Sequence, residues 1–107
     1  MPFNMSTVNP GFGFDNITNN SINVLVHVTS TIGGDPPGFT KIKVRWRRKG
    51  TNAWHTNSTD SVVPPSTGKS YTITGLTTAT DYEFKVRYKL EGMSLFHNMA
   101  SKFQKTT

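Results

Sequence analysis

The chain has no cysteine among its 107 residues, which excludes a disulfide scaffold, a zinc site built on thiolates and a thiol nucleophile. No apolar run approaches the roughly 18 residues of a membrane-spanning helix, and the N-terminus lacks the charged and apolar regions of a signal peptide. Seven Phe, three Tyr and two Trp nevertheless supply core material. We therefore expect one folded domain rather than a disordered chain.

Acidic residues are also scarce, with six Asp and Glu against twelve Lys and Arg and a net charge of +6. The basic residues are not spread evenly. Residues 1–40 contain none, whereas nine of the twelve lie in residues 41–49 and 85–89. An excess of positive charge indicates either an acidic partner or a soluble surface, and this clustering shows where a functional patch is to be sought.

Hydrophobic periodicity predicts strands and no helix. Apolar residues alternate with polar ones in residues 21–28, 41–47 and 82–90, a pattern typical of strands with one buried face. Segments 33–38 and 64–68, which are rich in turn-forming residues, predict loops. About seven short strands, with turn signals at intervals of roughly ten residues, indicate an all-β fold, either an antiparallel sandwich or a barrel.

Residues 71–88 make this prediction more specific. Leu76, Thr80 and Tyr82 are spaced as in the turn that leads into strand F of fibronectin type III domains. The chain resembles this family over nearly its whole length, and the resemblance implies a seven-stranded antiparallel β-sandwich. It also implies that Tyr82 is a corner tyrosine, whose hydroxyl bonds back across the turn, and that Leu76 has a structural role beside it.

The resemblance includes departures from the family pattern. Residues 42–46 match strand C of the family, with Trp46 facing inward, but Val26 stands where strand B usually has an inward Trp. We expect Trp46 or Phe14 to fill the space. An immunoglobulin-like sandwich is the nearest alternative, but the absence of a Cys pair and the tyrosine spacing favour the fibronectin type.

No motif for catalysis, a metal or a cofactor is found in the sequence. His27, His55 and His97 are too far apart for a local metal-binding motif. Asp81 and Glu83 share one strand face, whereas acid–base catalysis needs carboxyl groups held across a cleft. We therefore predict a protein that is not an enzyme, with no catalytic residues, no metal site and no cofactor.

The one distinctive constellation is basic. Strands C and F are neighbours in the sheet of the family, so the resemblance implies that their outward-facing bases lie side by side. Like charges directly opposite each other destabilise a strand pair, which indicates an anionic partner. The alternative is a solvated face, because long basic side chains cover a sheet well. The candidate patch for an anionic partner consists of Lys43, Arg45, Arg47, Lys85, Arg87 and Lys89.

Three kinds of partner fit such a patch: a nucleic acid, an acidic protein surface or an anionic polysaccharide. The aromatic residues of these strands point inward, so we expect no stacking platform beside the charge. We also expect no recognition helix, and therefore no sequence-specific binding of nucleic acid. Insertion into a membrane is not expected either.

Two units are predicted along the chain, an N-terminal arm at residues 1–12 and the fibronectin type III-like domain at residues 13–107. Free termini are poorly ordered unless they are tied down, and a second subunit would tie down such an arm. Our leading hypothesis is a structural or interaction module that is a small accessory subunit of a large assembly. A phage or viral particle fits, with the chain as a head-decoration or tail protein located in that virion or another extracellular particle.

Two alternative functions stay open. An extracellular adhesion or receptor module, excised from a longer chain, would be secreted and would carry glycans on Asn16 or Asn57, which both begin glycosylation sequons. A weaker alternative is a polyanion-binding domain that acts through the basic patch.

Overall fold

The structure, a computed structural model, describes residues 8–31 and 35–107. The described residues contain nine β-strands and no helix, as the alternation predicts. The strands are β1 (Val8–Asp15), β2 (Ile22–Ser30), β3 (Phe39–Arg48), β4 (His55–Thr56), β5 (Asp60–Ser66), β6 (Gly68–Ile73), β7 (Asp81–Leu90), β8 (His97–Asn98) and β9 (Lys102–Lys105).

The strands form two antiparallel sheets that share one core. The first sheet has the order β1-β2-β6. The second sheet has β3 and β7 at its centre; β4 and β5 both pair with β3, and β8 and β9 both pair with β7. The nine segments therefore occupy seven strand positions, and the predicted all-β antiparallel sandwich is confirmed.

The core is formed by the apolar face of each central strand. Alternate residues of β2 are buried from Ile22 to Val28, and alternate residues of β7 are buried from Tyr82 to Leu90. Branched and aromatic side chains pack well on such a pleated, half-buried surface, so the sequence predicted both faces correctly. The largest fully buried side chains include Phe12, Phe39, Phe84, Ile22, Ile42 and Leu90.

An aromatic cluster lies beside Val26, which stands where strand B of the family usually has a tryptophan. Phe12 lies opposite Val26 in the pairing of β1 with β2 and is 1% exposed. Its ring meets the Phe14 ring edge-on, with 5.7 Å between the centroids. The Phe14 and Phe84 centroids are 5.0 Å apart. The first strand thus contributes two aromatic side chains to the core, of which the sequence indicated Phe14.

The first strand also begins earlier than predicted. Residues 8–12, which were expected in the arm, pair with β2 and bury two apolar side chains. A Cβ atom at Gly11 would stand 3.3 Å from the ring of His27 on the paired strand, so the glycine allows this close approach. The remainder of the predicted arm, residues 1–7, lies outside the described residues, as do residues 32–34 of a predicted loop.

Two further predictions need correction. Segment 64–68 is not a loop throughout, because β5 continues through both prolines to Ser66 and only Thr67 separates it from β6. An edge strand accepts proline since one side of its backbone has no ladder partner. Trp46 lies on the same face of β3 as the buried Val44, as predicted, but it is only half-buried and packs against the core.

Polar contacts tie the two sheets together at both edges. At one edge the Tyr71 hydroxyl of β6 donates to Asp60 Oδ2 of β5 at 2.6 Å, and Lys69 Nζ contacts the same oxygen at 2.6 Å. At the other edge Lys102 Nζ of β9 donates to the carbonyl oxygen of Phe12 in β1 at 2.6 Å. These contacts hold the sheets together at their edges. Because side chains alternate along a strand, β3 and β7 turn one face to the core and the other outward.

Candidate functional site

The pairing of β3 with β7 brings the predicted basic residues together. Lys43 lies opposite Arg87, and Arg45 lies opposite Lys85. Lys41, which was not among the predicted patch residues, lies opposite Lys89. Like charges in such directly opposed positions destabilise a strand pair. We use the name cation ladder for the outward-facing set Lys41, Lys43, Arg45, Arg47, Lys85, Arg87 and Lys89.

The cation ladder contains one charge-compensated row, at its end. Arg47 lies opposite Glu83, and Arg47 Nε donates to Glu83 Oε1 at 2.7 Å. Glu83 is 8% exposed, so salt screens this ion pair less than an exposed one. In each of the three preceding rows, two cations face each other across the strand pair. Along the cation ladder, within the described residues, charges of both signs therefore face each other only at its Glu83 end.

The side chains that flank these rows are neutral. Thr56 of β4 lies beside Arg45, and Asn98 of β8 lies beside Arg87. Lys41 Nζ donates to Ser61 Oγ of β5 at 2.8 Å. Across the described strands, the three like-charged rows thus lie between hydroxyl and amide groups rather than carboxylates.

Two aromatic rings from the loops lie on the cation ladder. The centroid of the Trp54 ring, between β3 and β4, is 4.9 Å from Arg45 Cζ, 4.3 Å from Arg47 Cζ and 5.1 Å from Lys85 Nζ. The expectation that no aromatic platform accompanies the charge is therefore wrong. It holds for the strands, whose aromatic residues face inward, but alternation within a strand says nothing about where loop residues lie.

Phe96, between β7 and β8, is the second ring. Its centroid is 5.4 Å from Arg87 Cζ and 4.9 Å from Lys89 Nζ. Like Trp54, it is only half-buried, so part of each ring remains open to solvent. A cation over an aromatic face gains about 0.5–1 kcal/mol at an exposed site, and these contacts partly offset the repulsion between opposed cations.

Arg87 carries an uncompensated polar group. Its Nε atom is buried and has no hydrogen-bond partner within the described part of the chain. Leaving a buried donor unpaired costs about 1–3 kcal/mol. The central row of the cation ladder therefore combines a like-charge pair with an unsatisfied donor, two features that lower the stability of the fold.

The predicted corner at the start of β7 has the geometry that the resemblance implies. The Tyr82 hydroxyl accepts the backbone N–H of Thr77 at 2.8 Å, and the Leu76 N–H donates to the carbonyl oxygen of Asn20 at 2.9 Å. Burial raises the pKa of the Tyr82 phenol, but the hydrogen bond from Thr77 and the nearby Arg48 guanidinium outweigh it and lower that pKa overall. The corner is a structural element.

A cleft of about 400 Å³ opens beside this corner, at one end of the sandwich. The ring of His55 stacks on that of Trp46, with 6.0 Å between the centroids and 22° between the planes. The Arg48 guanidinium donates to Thr77 Oγ1. Three of the polar side chains that line the cleft thus already bind or stack on its other residues. The cleft is lined in part by Trp46, Arg48, His55, Leu76, Thr77 and Tyr82.

Other classes of site find no support in residues 8–31 and 35–107. There, no group of three or more His, Asp or Glu side chains could hold a metal ion. The three histidines lie on separate strands, β2, β4 and β8. Nor does that part of the chain include a helix with the length and apolar character to cross a membrane.

Comparison with known proteins identifies the fold. No protein-family model and no curated protein matches the chain. A myokine structure is 13% identical with a TM-score of 0.71, covering 91% of this chain and 94% of that one. The sensor domain of the anti-sigma factor RsgI4 from Pseudobacteroides cellulosolvens is 20% identical with a TM-score of 0.64, covering 96% and 97%.

Two further solved structures agree with these. A redesigned β-sandwich protein is 20% identical with a TM-score of 0.63, covering 91% of this chain and 92% of that one. Titin domains are 19% identical with a TM-score of 0.52, covering 87% of this chain and 30% of that one. At such identities the likeness concerns architecture alone, and it assigns the chain to the β-sandwiches of the immunoglobulin-like type.

Proposed function

We propose that the chain is a non-catalytic interaction module, a distant relative of fibronectin type III domains, that binds an anionic partner through the cation ladder. The observation that carries the proposal is that two cations face each other in each of three successive rows of the strand pair. Such rows lower stability, and an anionic partner bound on them would offset that loss.

The surroundings of the cation ladder support this function over a merely solvated face. A surface that serves only solubility mixes charges of both signs, whereas Thr56, Ser61 and Asn98 beside the like-charged rows are neutral. A single-sign field of this kind also attracts anions over a distance and speeds their association. Hydroxyl and amide groups at the border can add hydrogen bonds to a bound anion.

Heparin, a sulfated polyanion, is the first probe of the cation ladder. We expect binding at low salt with an affinity that falls steeply as salt rises. Arg45→Glu and Arg87→Glu should each weaken binding and flatten the salt dependence. Both variants place a carboxylate opposite a cation, at Lys85 and Lys43, so they should fold at least as well as the parent.

The matched control is Lys105→Glu, which changes the net charge equally but lies on β9, outside the cation ladder. If this control weakens heparin binding as much as Arg45→Glu does, binding follows net charge and the cation ladder is not its site. Absence of binding to heparin and to every other polyanion tested at low salt would reject an anion-binding function.

We propose further that the module acts as an accessory subunit of a large assembly, such as the head decoration or tail of a phage or viral particle. Residues 8–12 pair with β2, so the test of the predicted arm is confined to residues 1–7. Deleting residues 1–7 should abolish incorporation into the particle. Incorporation of the truncated chain at normal occupancy would reject this role of the arm.

An extracellular module remains the second candidate, and one observation refines its test. Asn57 Oδ1 accepts the backbone N–H of Val44 at 2.9 Å, and the Asn57 side chain is half-buried. Asn16 is exposed. A secreted form should therefore carry its glycan on Asn16 rather than Asn57, which peptide mapping before and after deglycosylation can establish. A secreted chain without a glycan on Asn16 would contradict this assignment.

A further inference from the structure

We infer that the anionic partner of the cation ladder is a single-stranded nucleic acid, bound without sequence preference. The inference rests on the proposed function and adds the class of partner. Its basis is the presence of aromatic rings on the same face as the cations. Proteins that bind single strands combine a positively charged track for the backbone with aromatic side chains on which bases stack.

The rings discriminate between anionic partners. The face of an aromatic ring carries negative charge density, so a carboxylate gains nothing from Trp54 or Phe96 and is repelled by their faces. Nucleic acid, in contrast, presents phosphates alternating with planar bases. Phosphates can meet the exposed ends of the cations while bases stack on the open parts of the two rings.

The aromatic residues follow the cation ladder along β7. Phe96 contacts Arg87 and Lys89 near the C-terminal end of β7. Trp54 contacts Lys85, which lies nearer the start of β7. Beyond Trp54, Phe103 lies opposite Glu83 and is 52% exposed. The distance from Lys89 to Glu83 is about 20 Å at 3.4 Å per residue. The cations and rings along β7 thus form a track over which a few successive nucleotides can extend, with the Arg47–Glu83 ion pair at its Phe103 end.

The cation Lys49 belongs to the same track. Its Nζ is 5.5 Å from the centroid of the Phe103 ring. A basic side chain thus again lies over an exposed aromatic ring. In the described residues no helix is available to enter a duplex groove, and stacking is tolerant of base identity. The track therefore suits single strands of any sequence and agrees with the expectation that sequence-specific binding is absent.

The test uses the whole chain and a twelve-nucleotide oligothymidylate. The chain has two tryptophans, so Trp46→Phe leaves Trp54 as the single tryptophan reporter. We expect oligothymidylate to quench its fluorescence in a saturable and salt-dependent manner. A double-stranded oligonucleotide of equal length should bind more weakly, because its bases are not free to stack.

The role of stacking is separated from that of charge by Trp54→Ala. Because this variant lacks the Trp54 reporter, its binding is read from the polarisation of a fluorophore on the oligothymidylate. It should bind oligothymidylate about tenfold more weakly, which equals about 1.4 kcal/mol, while heparin affinity changes by less than about twofold. Trp54→Phe, which keeps an aromatic ring, should restore most of the affinity. Trp46→Phe, in the cleft at the end of the sandwich, is the control for substitution of a tryptophan away from the track.

The outcomes distinguish the two proposals. Binding of heparin without binding of oligothymidylate overturns the nucleic-acid inference and leaves anion binding intact. Polyglutamate that binds as tightly as oligothymidylate identifies an acidic protein segment as the partner and also overturns the inference. Equal loss of heparin and oligothymidylate binding in Trp54→Ala would show that the ring supports the fold of the face rather than a base. Failure of all three probes to bind at low salt rejects both proposals.

Discussion

The hydroxyl of Tyr82 accepts a hydrogen bond from the backbone N–H of Thr77 at 2.8 Å. Thr77 lies in the middle of the turn that joins β6 to β7, Tyr82 is the second residue of β7, and this turn connects the two sheets. Its backbone adopts left-handed conformations at Gly75 (φ 73°) and Ala79 (φ 50°). Alanine rarely adopts such a conformation, so the contacts around the turn must hold it in place.

We expect Tyr82→Phe to lower the free energy of unfolding by about 1 kcal/mol, because the Thr77 N–H loses its acceptor. Urea unfolding followed by tryptophan fluorescence measures this difference. Tyr88→Phe is the matched control, because Tyr88 is also a buried tyrosine of β7. Burial alone raises the pKa of its phenol, without the hydrogen bonds that act on Tyr82. A loss in Tyr88→Phe as large as that in Tyr82→Phe would contradict a specific role of the corner hydrogen bond.

Trp46 and Phe84 face each other across β3 and β7. Their difference in burial predicts which of them contributes more to the stability of the fold. Phe84 is fully buried, whereas Trp46 is half-buried beside the cleft. Truncating a buried Phe or Trp to Ala costs about 3–5 kcal/mol. We expect Phe84→Ala to lie in that range and Trp46→Ala near or below its lower end. A negligible effect of Trp46→Ala in urea unfolding would mean that its ring does not support the core.

The sequence predicted what depends on alternation and on one local motif. The inward faces of β2 and β7 follow from a period of two residues, and Tyr82 was found by its spacing from Leu76. That the bases of β3 and β7 lie side by side was implied by the resemblance to fibronectin type III domains, in which strands C and F are neighbours. In the first two cases the information lies within about ten residues of the chain, where local geometry determines where a side chain points.

Contacts between residues distant in the chain were not predictable in this way. Trp54 and Phe96 lie in loops, and only the folded structure shows that both lie on the basic face. Thr106 is 3% exposed because its hydroxyl donates to the Thr77 carbonyl at 2.6 Å and accepts the Thr80 N–H at 3.0 Å. A polar residue near the C-terminus gives no sign of such burial, since its partners lie more than twenty residues away.

Replacing one cation of the cation ladder with an acid should stabilise the fold. Lys43→Glu would place a carboxylate opposite Arg87, and we expect the free energy of unfolding to rise by about 0.2–1 kcal/mol. Added salt should stabilise the parent by screening the repulsion and should stabilise the variant less. Lys105→Glu makes the same charge change opposite Asp81 and should be destabilising. A fall in stability of Lys43→Glu at low salt would show that opposed cations do not strain this face.

The contact of Asp60 with Lys69 and Tyr71 should make stability depend on pH. The hydrogen bond from Lys69, followed by that from Tyr71, lowers the pKa of Asp60. A carboxyl group whose pKa is lower in the folded state adds stability that is fully present above its unfolded pKa of about 4 and is lost as pH falls through the folded value. Asp60→Asn should therefore lower the free energy of unfolding at pH 7. The difference in stability between variant and parent should disappear in acid.

Lys69 and Tyr71 both lower the pKa of Asp60, and a variant that removes one of them shows what the other contributes. Burial and then the hydrogen bond to Asp60 raise the pKa of Tyr71, so its contribution is present below about pH 10, the unfolded value, and is lost only in stronger base. In Tyr71→Phe the pKa of Asp60 should rise toward its ordinary value but stay below it, because Lys69 remains. Carboxyl titration by NMR measures the pKa of Asp60 in the parent chain and in Tyr71→Phe. A titration midpoint of Asp60 at or above about 4 in the parent chain would contradict a stabilising carboxylate at this edge of the sandwich.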